Sequence, residues 1–402
     1  MILIAAPVLK AVDKNISLMI DNRIEKHRLE IIKIRRFIHM NPELGNREFE
    51  TANLIASKLM SLGIEVKTGV AKTGVVGLLH GDHEGPTVAI RADMDALPIE
   101  EKANVPFRSL NPGVMHACGH DIHTSVALGT AYVLSGMKGH INGSIKFIFQ
   151  PAEEGAPRGE EGGADVMIEE GVLDNPPVKA IFGLHVGPGD LGTVDFAAGP
   201  IMASSDSFTT TIIGKSAHGA LPHEGVDAIT LAAQIIVSLQ SIVSRSLDQT
   251  DPAVITIGQI SGGQRRNIIA DEVRMEGTVR TLSQYNRERI PDQIEEVVKG
   301  ITQAFGGDYR MEYRKGVPSV YNHPELSRVM LPTLQNVLGS RNVTTMTPQM
   351  LAEDFAYYGQ NIPGFFFFLG AKNPSHKTFS PLHSPYFNPD ERSIFVLSLI
   401  HI

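Results

Sequence analysis

A chain of 402 residues, 42% of them hydrophobic and 20% charged, has the composition of a globular protein. At about 150 residues per domain that length suggests two or three domains. A net charge of −8 without a basic stripe gives no electrostatic footprint for nucleic acid. The single cysteine excludes an intramolecular disulfide and fits a reducing cytoplasm. The apolar runs Met1–Ala6 and Ser393–Ile402 are too short to span a bilayer, and the first lacks the positive start of a signal peptide, so no membrane partner is expected.

In chain order, Ile20 to Leu62 carries a helical pattern broken at Asn41-Pro42, with a stop at Gly63. Val66 to His80 reads as one or two strands, Thr87 to Arg91 as a buried strand, and Thr124 to Met137 as a helix. Ser144–Gln150 and Ala180–Val186 are further strands. This alternation predicts an α/β fold with a mostly parallel sheet flanked by helices. From about Ser204 the order changes: strand 207–213, helix 227–245, strands 253–260 and 272–280, helix 284–305 and strand 309–313. That β-α-β-β-α-β order is the split, ferredoxin-like arrangement of an α+β domain. The Phe365–Leu369 strand then returns to the first pattern. The expected layout is a discontinuous domain, 1–203 with 317–402, and an inserted domain, 204–316.

Between His116 and His123 lie His116, Cys118, His120, Asp121 and His123. Cysteine and histidine suit zinc and similar metals. In an extended loop ahead of a helix starting at Thr124, Cys118 and His120 would project to one side. A lone cysteine or histidine is usually structural or a surface residue; a cluster this dense reads as a metal site. A second feature, Gln150-Pro151-Ala152-Glu153-Glu154-Gly155, follows an apolar strand. Two carboxylates there are costly to bury unpartnered, whereas a cation could take one and leave the other as general base. Asp93 and Asp95 follow strand 87–91, His185 sits at the end of strand 180–184, and His383 lies in the loop after the Phe-rich strand. All these positions lie at or beyond strand ends or in the loops that follow them, where open α/β sheets bind ligands.

Taken together, Phe37–Leu44, Arg91–Pro98, Met115–Thr124, Gln150–Glu154, Gly183–Val186 and Leu382–Pro385 resemble motifs of the aminoacylase/carboxypeptidase metallopeptidase superfamily. The resemblance is to the branch of hippurate hydrolase, indole-acetyl-amino-acid hydrolases and N-acyl-L-amino-acid amidohydrolases. It implies a di-metal exopeptidase-like catalytic domain with an inserted lid or dimerisation domain, and two divalent ions per subunit (Zn, Mn, Co or Ni). It places Cys118, His120 and His185 on one metal and Glu154 and His383 on the other, with Cys118 where other branches have a bridging aspartate. Glu153 becomes the general base for attack of a metal-bound hydroxide on the amide carbonyl, and Asp95 the carboxylate that orients a ligand histidine. His116 and His123 are supporting residues. His218, in Gly214–Pro222, would stabilise the oxyanion, often from the neighbouring subunit, and Asn267 would contact substrate, although Ala270 replaces the proline usual there.

The implied activity is cleavage of N-acyl-L-amino acids, with acetyl, benzoyl, indole-acetyl and N-acetyl-diaminopimelate substrates all open, by a cytoplasmic homodimer joined through the inserted domain. Relatives continue into a closing helix after the Asp390-Glu391 region, so the apolar end here is expected to be altered or truncated. Two competing readings are a cysteine hydrolase with Cys118 as nucleophile and a non-catalytic metal- or amino-acid-binding protein.

Overall fold

The computed structural model describes residues 14–374 and 380–395. The apolar run at 1–6 lies outside them, as does 396–402; Ser393 and Ile394 are buried in the short helical turn Glu391–Phe395. The chain forms two compact units. Pro200–Val320 and Pro348–Ala356 make the second, and the remainder makes the first.

In the first unit, α1 (Lys14–Met40) and α2 (Phe49–Ser61) precede β1 (Glu65–Val70), β2 (Gly74–His80) and β3 (His83–Asp93). There follow α3 (His120–Leu134), β4 (Asn142–Gln150), α4 (Ala164–Glu169), β5 (Val178–Asp190) and β6 (Val194–Phe196). Helix α1 buries Ile31, Ile34 and Ile38 at helical spacing and stops before Asn41-Pro42, because proline disfavours helical geometry in the residue before it. Gly63, left-handed at φ 70°, closes α2 by donating to Met60 O.

The second unit begins along β7 (Gly199–Met202) and contains β8 (Ser205–Ile213), α5 (Ala228–Ser241), β9 (Ala253–Gly262), β10 (Glu272–Thr281), α6 (Gln284–Ala304) and β11 (Asp308–Val317). After it come β12 (Val320–Asn322), α7 (Pro324–Leu338), β13 (Val343–Thr345), α8 (Phe355–Asn361) and β14 (Gly364–Lys372).

The first unit is built on an eight-stranded sheet ordered β1-β2-β4-β3-β5-β14-β6-β13. Its four central strands, β4-β3-β5-β14, are parallel. Such strands are covered on both faces and so carry near-continuous apolar runs. Phe365, Phe366 and Phe367 of β14 accordingly have no exposed surface. Strand β4 lies on one side of β3 and β5 on the other, so strand order switches at β3, which opens a crevice beyond the carboxyl ends. Asp93 pairs with Gln150 where β3 and β4 end. The sequence put His185 at a strand end, but β5 runs on to Asp190 because β14 keeps pairing with it. His185 still reaches the crevice, two residues past the last β3–β5 pair, Arg91 with Gly183.

In the second unit the four-stranded sheet has the order β11-β8-β10-β9 and is antiparallel throughout. With α5 and α6 this is the split β-α-β-β-α-β arrangement. Asp227 and Ser283 cap the two helices through their side chains. The helix expected over 227–245 ends at Ser241 and continues as a π-turn, Ile242–Ser246. The stretch Ala228–Ser246 is long and apolar enough to cross a membrane by length and composition only; here Leu231, Ala232, Ile235 and Leu239 are buried in the core of this unit. Residues 348–351 join the unit through Ala203 N–H, which donates to Gln349 O (3.1 Å) and Leu351 O (2.8 Å).

Beneath this sheet Asp206 is buried against Arg287 (2.7 Å) and also accepts from Gly316 N–H (2.9 Å) and the Tyr313 hydroxyl (3.2 Å). Removing one side of a buried pair leaves the other charge uncompensated. Asp206→Ala should therefore destabilise the second unit by about 3–5 kcal/mol, seen as an earlier transition in urea. An unshifted transition would contradict this.

Candidate active site

Each crevice residue is delivered by the end of a strand or by a turn fixed by backbone sterics. Gly119 is left-handed (φ 101°), and a Cβ there would lie 2.4 Å from Val186 Cγ2, so only glycine fits. That turn changes the expected geometry. Helix α3 begins at His120, four residues earlier than the sequence suggested, and the Gly119 reversal replaces the extended loop in carrying Cys118 and His120 to one place. Strand β3 delivers Asp93 and then Asp95, while β4 delivers Gln150 and the turn at Ala152, which is itself left-handed (φ 52°). His383, at φ 61°, is tied by its own N–H to Ala117 O (2.8 Å), next to the cysteine.

These segments bring all five expected metal ligands together. Cys118 Sγ lies 3.2 Å from His185 Nε2. His185 Nδ1 donates to Val186 O (2.8 Å), which leaves Nε2 as the lone-pair nitrogen facing the sulfur. Asp95 Oδ1 contacts His120 Nδ1 (3.1 Å), while His120 Nε2 is buried without a hydrogen bond of normal geometry. The same Asp95 accepts Glu154 N–H through Oδ2 (3.0 Å), so one carboxylate fixes both a histidine and the acidic loop. His383 Nε2 is 3.0 Å from Glu154 Oε1, and His120 Nε2 is 3.8 Å from Glu153 Oε2.

Ligand atoms converge within 4.8 Å in three overlapping sets: Cys118 with His120 and His185, Cys118 with Glu154 and His383, and His120 with Glu153 and Glu154. Cys118 is common to the first two. A fourth set, Asp93 with His120 and His123, is already engaged. His123 Nδ1 donates to Asp93 Oδ1 (2.6 Å) and its Nε2 accepts Val186 N–H (2.9 Å), so neither nitrogen is open to a cation. This supporting histidine stitches α3 to β5 beside His185.

The electrostatics describe a site full of competing charge. Burial pushes the Cys118 thiol well up. Burial also opposes charge on His120, yet the Asp93 carboxylate and Cys118 hold its pKa well above the histidine range. Asp93 is held well below the carboxylate range, against burial, by His120, His123 and Arg91. Glu154 is lowered, again against burial, by its bond to His383 and by His120. Burial drives His116 down to about 3, which keeps it neutral. Protons on histidine thus balance carboxylates where a cation could do the same.

His218 and Asn267 belong to the second unit, where they are neighbours: His218 pairs with Ile268, and Gly219 N–H donates to Asn267 O (2.9 Å). Both are exposed. His218 Nδ1 accepts Ala220 N–H (3.1 Å), leaving Nε2–H as an outward donor. Reasoning from the sequence missed the buried relay from Arg91 through Asp93 (2.7 Å) to His123, and it missed Glu48. The relay had a signal in the two-residue spacing of Arg91, Asp93 and Asp95 at and just past the end of one strand. Glu48 had none beyond its nearness to Asn41–Leu44.

Residues 89–398 match peptidase family M20/M25/M40. An N-acetyl-L-cysteine deacetylase of Bacillus subtilis is 40% identical over 370 residues, covering 92% of this chain and 86% of that protein. A thermostable carboxypeptidase of Saccharolobus solfataricus is 41% identical over 374 residues, covering 92% of this chain and 93% of that one. The crystal structure of the YxeP protein of B. subtilis, a dinuclear metal-binding peptidase of the M20 family, matches with a TM-score of 0.79 at 36% identity, covering 92% of this chain and 95% of that one. The chain belongs to peptidase family M20/M25/M40, and it is a hydrolase.

One consequence concerns stability alone. His123→Ala leaves Val186 N–H unpaired and removes one of the partners of Asp93, at a cost of about 1–3 kcal/mol. Urea unfolding of the two proteins measures it, and an unchanged midpoint would show that the relay is not structural.

Proposed function

We propose that the protein hydrolyses the amide bond of N-acyl-L-amino acids, using two divalent ions. Cys118, His120 and His185 would hold one, and Glu154 and His383, sharing Cys118, the other. The observation that carries this reading is the sharing: one sulfur belongs to two ligand sets, each completed by different side chains. The donors fit such ions. They combine a thiol, imidazoles and a carboxylate suited to borderline metals, and His120 Nε2 is buried without a hydrogen bond of normal geometry. When bound, the ions supply Lewis acidity toward the amide carbonyl and toward the attacking water.

The chain's own residues do the rest. Glu153 takes the proton from the attacking water and passes it to the amide nitrogen as the C–N bond breaks, giving a carboxylate and a free amino acid. Asp95 holds His120 by Nδ1 and so directs Nε2 toward the other donors. His218 would offer its Nε2–H to the carbonyl oxygen as charge develops there, with Asn267 beside it for the substrate. The name of the B. subtilis deacetylase supports an N-acyl-amino-acid substrate. A cytoplasmic setting suits a lone cysteine kept reduced as a ligand.

A homodimer through the second unit is part of the same reading. Val237 and Ile229 on α5 are 72% and 49% exposed, and β9, the edge of its sheet, exposes Ile260. Unpaired edges and apolar patches of this kind mark association surfaces. Val237→Glu should shift the protein from dimer to monomer in light scattering; a monomeric wild type would refute the dimer.

Glu153→Ala should retain metal, by elemental analysis, while turnover of N-acetyl-amino acids falls about 10²–10⁴-fold. Turnover like the wild type would defeat the assignment. Exhaustive chelation should abolish activity, with recovery on adding Zn, Mn, Co or Ni. Activity that survives chelation would instead favour Cys118 as nucleophile.

A further inference from the structure

Glu48 belongs to none of the groups above. It has no exposed surface and stands at the N-cap of α2, yet its side chain makes no capping bond to that helix. Glu43 accepts from the helix's first N–H groups instead, Glu50 N (3.0 Å) and Thr51 N (2.9 Å). The Glu48 carboxylate is therefore free to turn the other way. It accepts Ala152 N–H (2.9 Å) and the Thr73 hydroxyl (2.6 Å).

Ala152 is the residue before Glu153 and Glu154, and its left-handed backbone costs a side-chain-bearing residue about 1–2 kcal/mol. Such a conformation persists only where its surroundings fix it. Among the described residues, five non-glycine positions have positive φ. Four of them, Asn46, Ala71, Lys72 and Ala152, lie in the loops that meet at Glu48; the fifth is His383. The packing is close: a Cβ on Gly45 would lie 2.8 Å from Gly155 O and 3.1 Å from Ala152 Cα. Burial, and then the charge of Asp95, push Glu48 up to about 7, so the fold keeps an acid there at a cost.

We propose that Glu48 is a positioning residue for the hydrolysis: by holding Ala152 N–H in the left-handed turn, it aims Glu153 and Glu154 at the crevice. The acidic loop is then pinned on both sides, at Ala152 by Glu48 and at Glu154 by Asp95. This rests on the roles given above to Glu153 and Glu154.

The test compares metal-loaded wild type, Glu48→Ala and Glu48→Gln, in turnover of N-acetyl-amino acids and in hydrogen exchange of residues 150–155. A misaimed catalytic group costs up to about a hundredfold, so in Glu48→Ala kcat should fall about 10–100-fold with KM within about twofold. Exchange should quicken in 150–155 and not elsewhere. Glu48→Gln keeps an oxygen acceptor for Ala152 N–H and should recover most of both. Unchanged kcat and exchange in Glu48→Ala would overturn the proposal, as would faster exchange throughout the chain with no recovery by glutamine. If Glu48→Ala does not fold, Thr73→Val removes the other bond to the same carboxylate and should cost several-fold in kcat with faster local exchange; no change overturns the proposal. If the wild type turns over no N-acyl-amino acid, the hydrolysis reading fails while hydrogen exchange still decides what Glu48 holds.

Discussion

Buried negative charge is the constraint on which the first unit depends. Asp93 and Asp95 lie at the crevice and Asp121 follows His120 in α3, each with at most 1% of its surface exposed. Unpaired, each would cost several kcal/mol to withdraw from water. The surrounding structure answers each one. Arg91 and His123 take Asp93, and His120 and the Glu154 N–H take Asp95. Arg35 and His39, both from α1, take Asp121 (2.8 Å each). Against burial, those two partners hold Asp121 well below the carboxylate range.

That arrangement gives the opening helix a part in the site. His39 bridges Asp121 and Glu101 (3.3 Å), and the turn after it continues to the crevice: Glu43 O accepts Ala96 N–H (2.7 Å), beside Asp95. The loops carrying the proposed ligands therefore rest on α1 and the 41–48 turn as well as on the sheet. A rigid support of this kind is what a multi-ligand centre requires, since ligand directions must be set before any ion arrives. Asp95 couples the two halves, because one carboxylate orients His120 and anchors the loop of Glu153 and Glu154.

Much of this was legible in the sequence, for identifiable reasons. Parallel central strands announce themselves by apolar runs such as Phe365–Leu369, and the second unit by the order of its periodic segments. Cys118 and His120 were readable as candidates from the density of their cluster, and Glu153, Glu154, His185 and His383 from standing at or after the ends of predicted strands. What stayed hidden was set by tertiary contact. The start of α3 at His120 depends on a left-handed Gly119 pressed against Val186, and nothing in local propensity distinguishes that from an extended loop. The run of β5 past His185 depends on pairing with β14, nearly two hundred residues away by sequence. Glu48 carried no signal in the sequence; its contact with Ala152 depends on Glu43 accepting from the first turn of α2 in its place.

In the proposed site Cys118 serves two ligand sets at once. The most direct measurement is metal stoichiometry at saturation, by equilibrium dialysis and elemental analysis, in the wild type and in Cys118→Ala. A shared thiolate predicts about two ions per chain in the wild type and weakened binding of both in the variant, each by tenfold or more. A variant that loses one ion and binds the other with unchanged affinity would contradict it, as would a wild type that saturates at one.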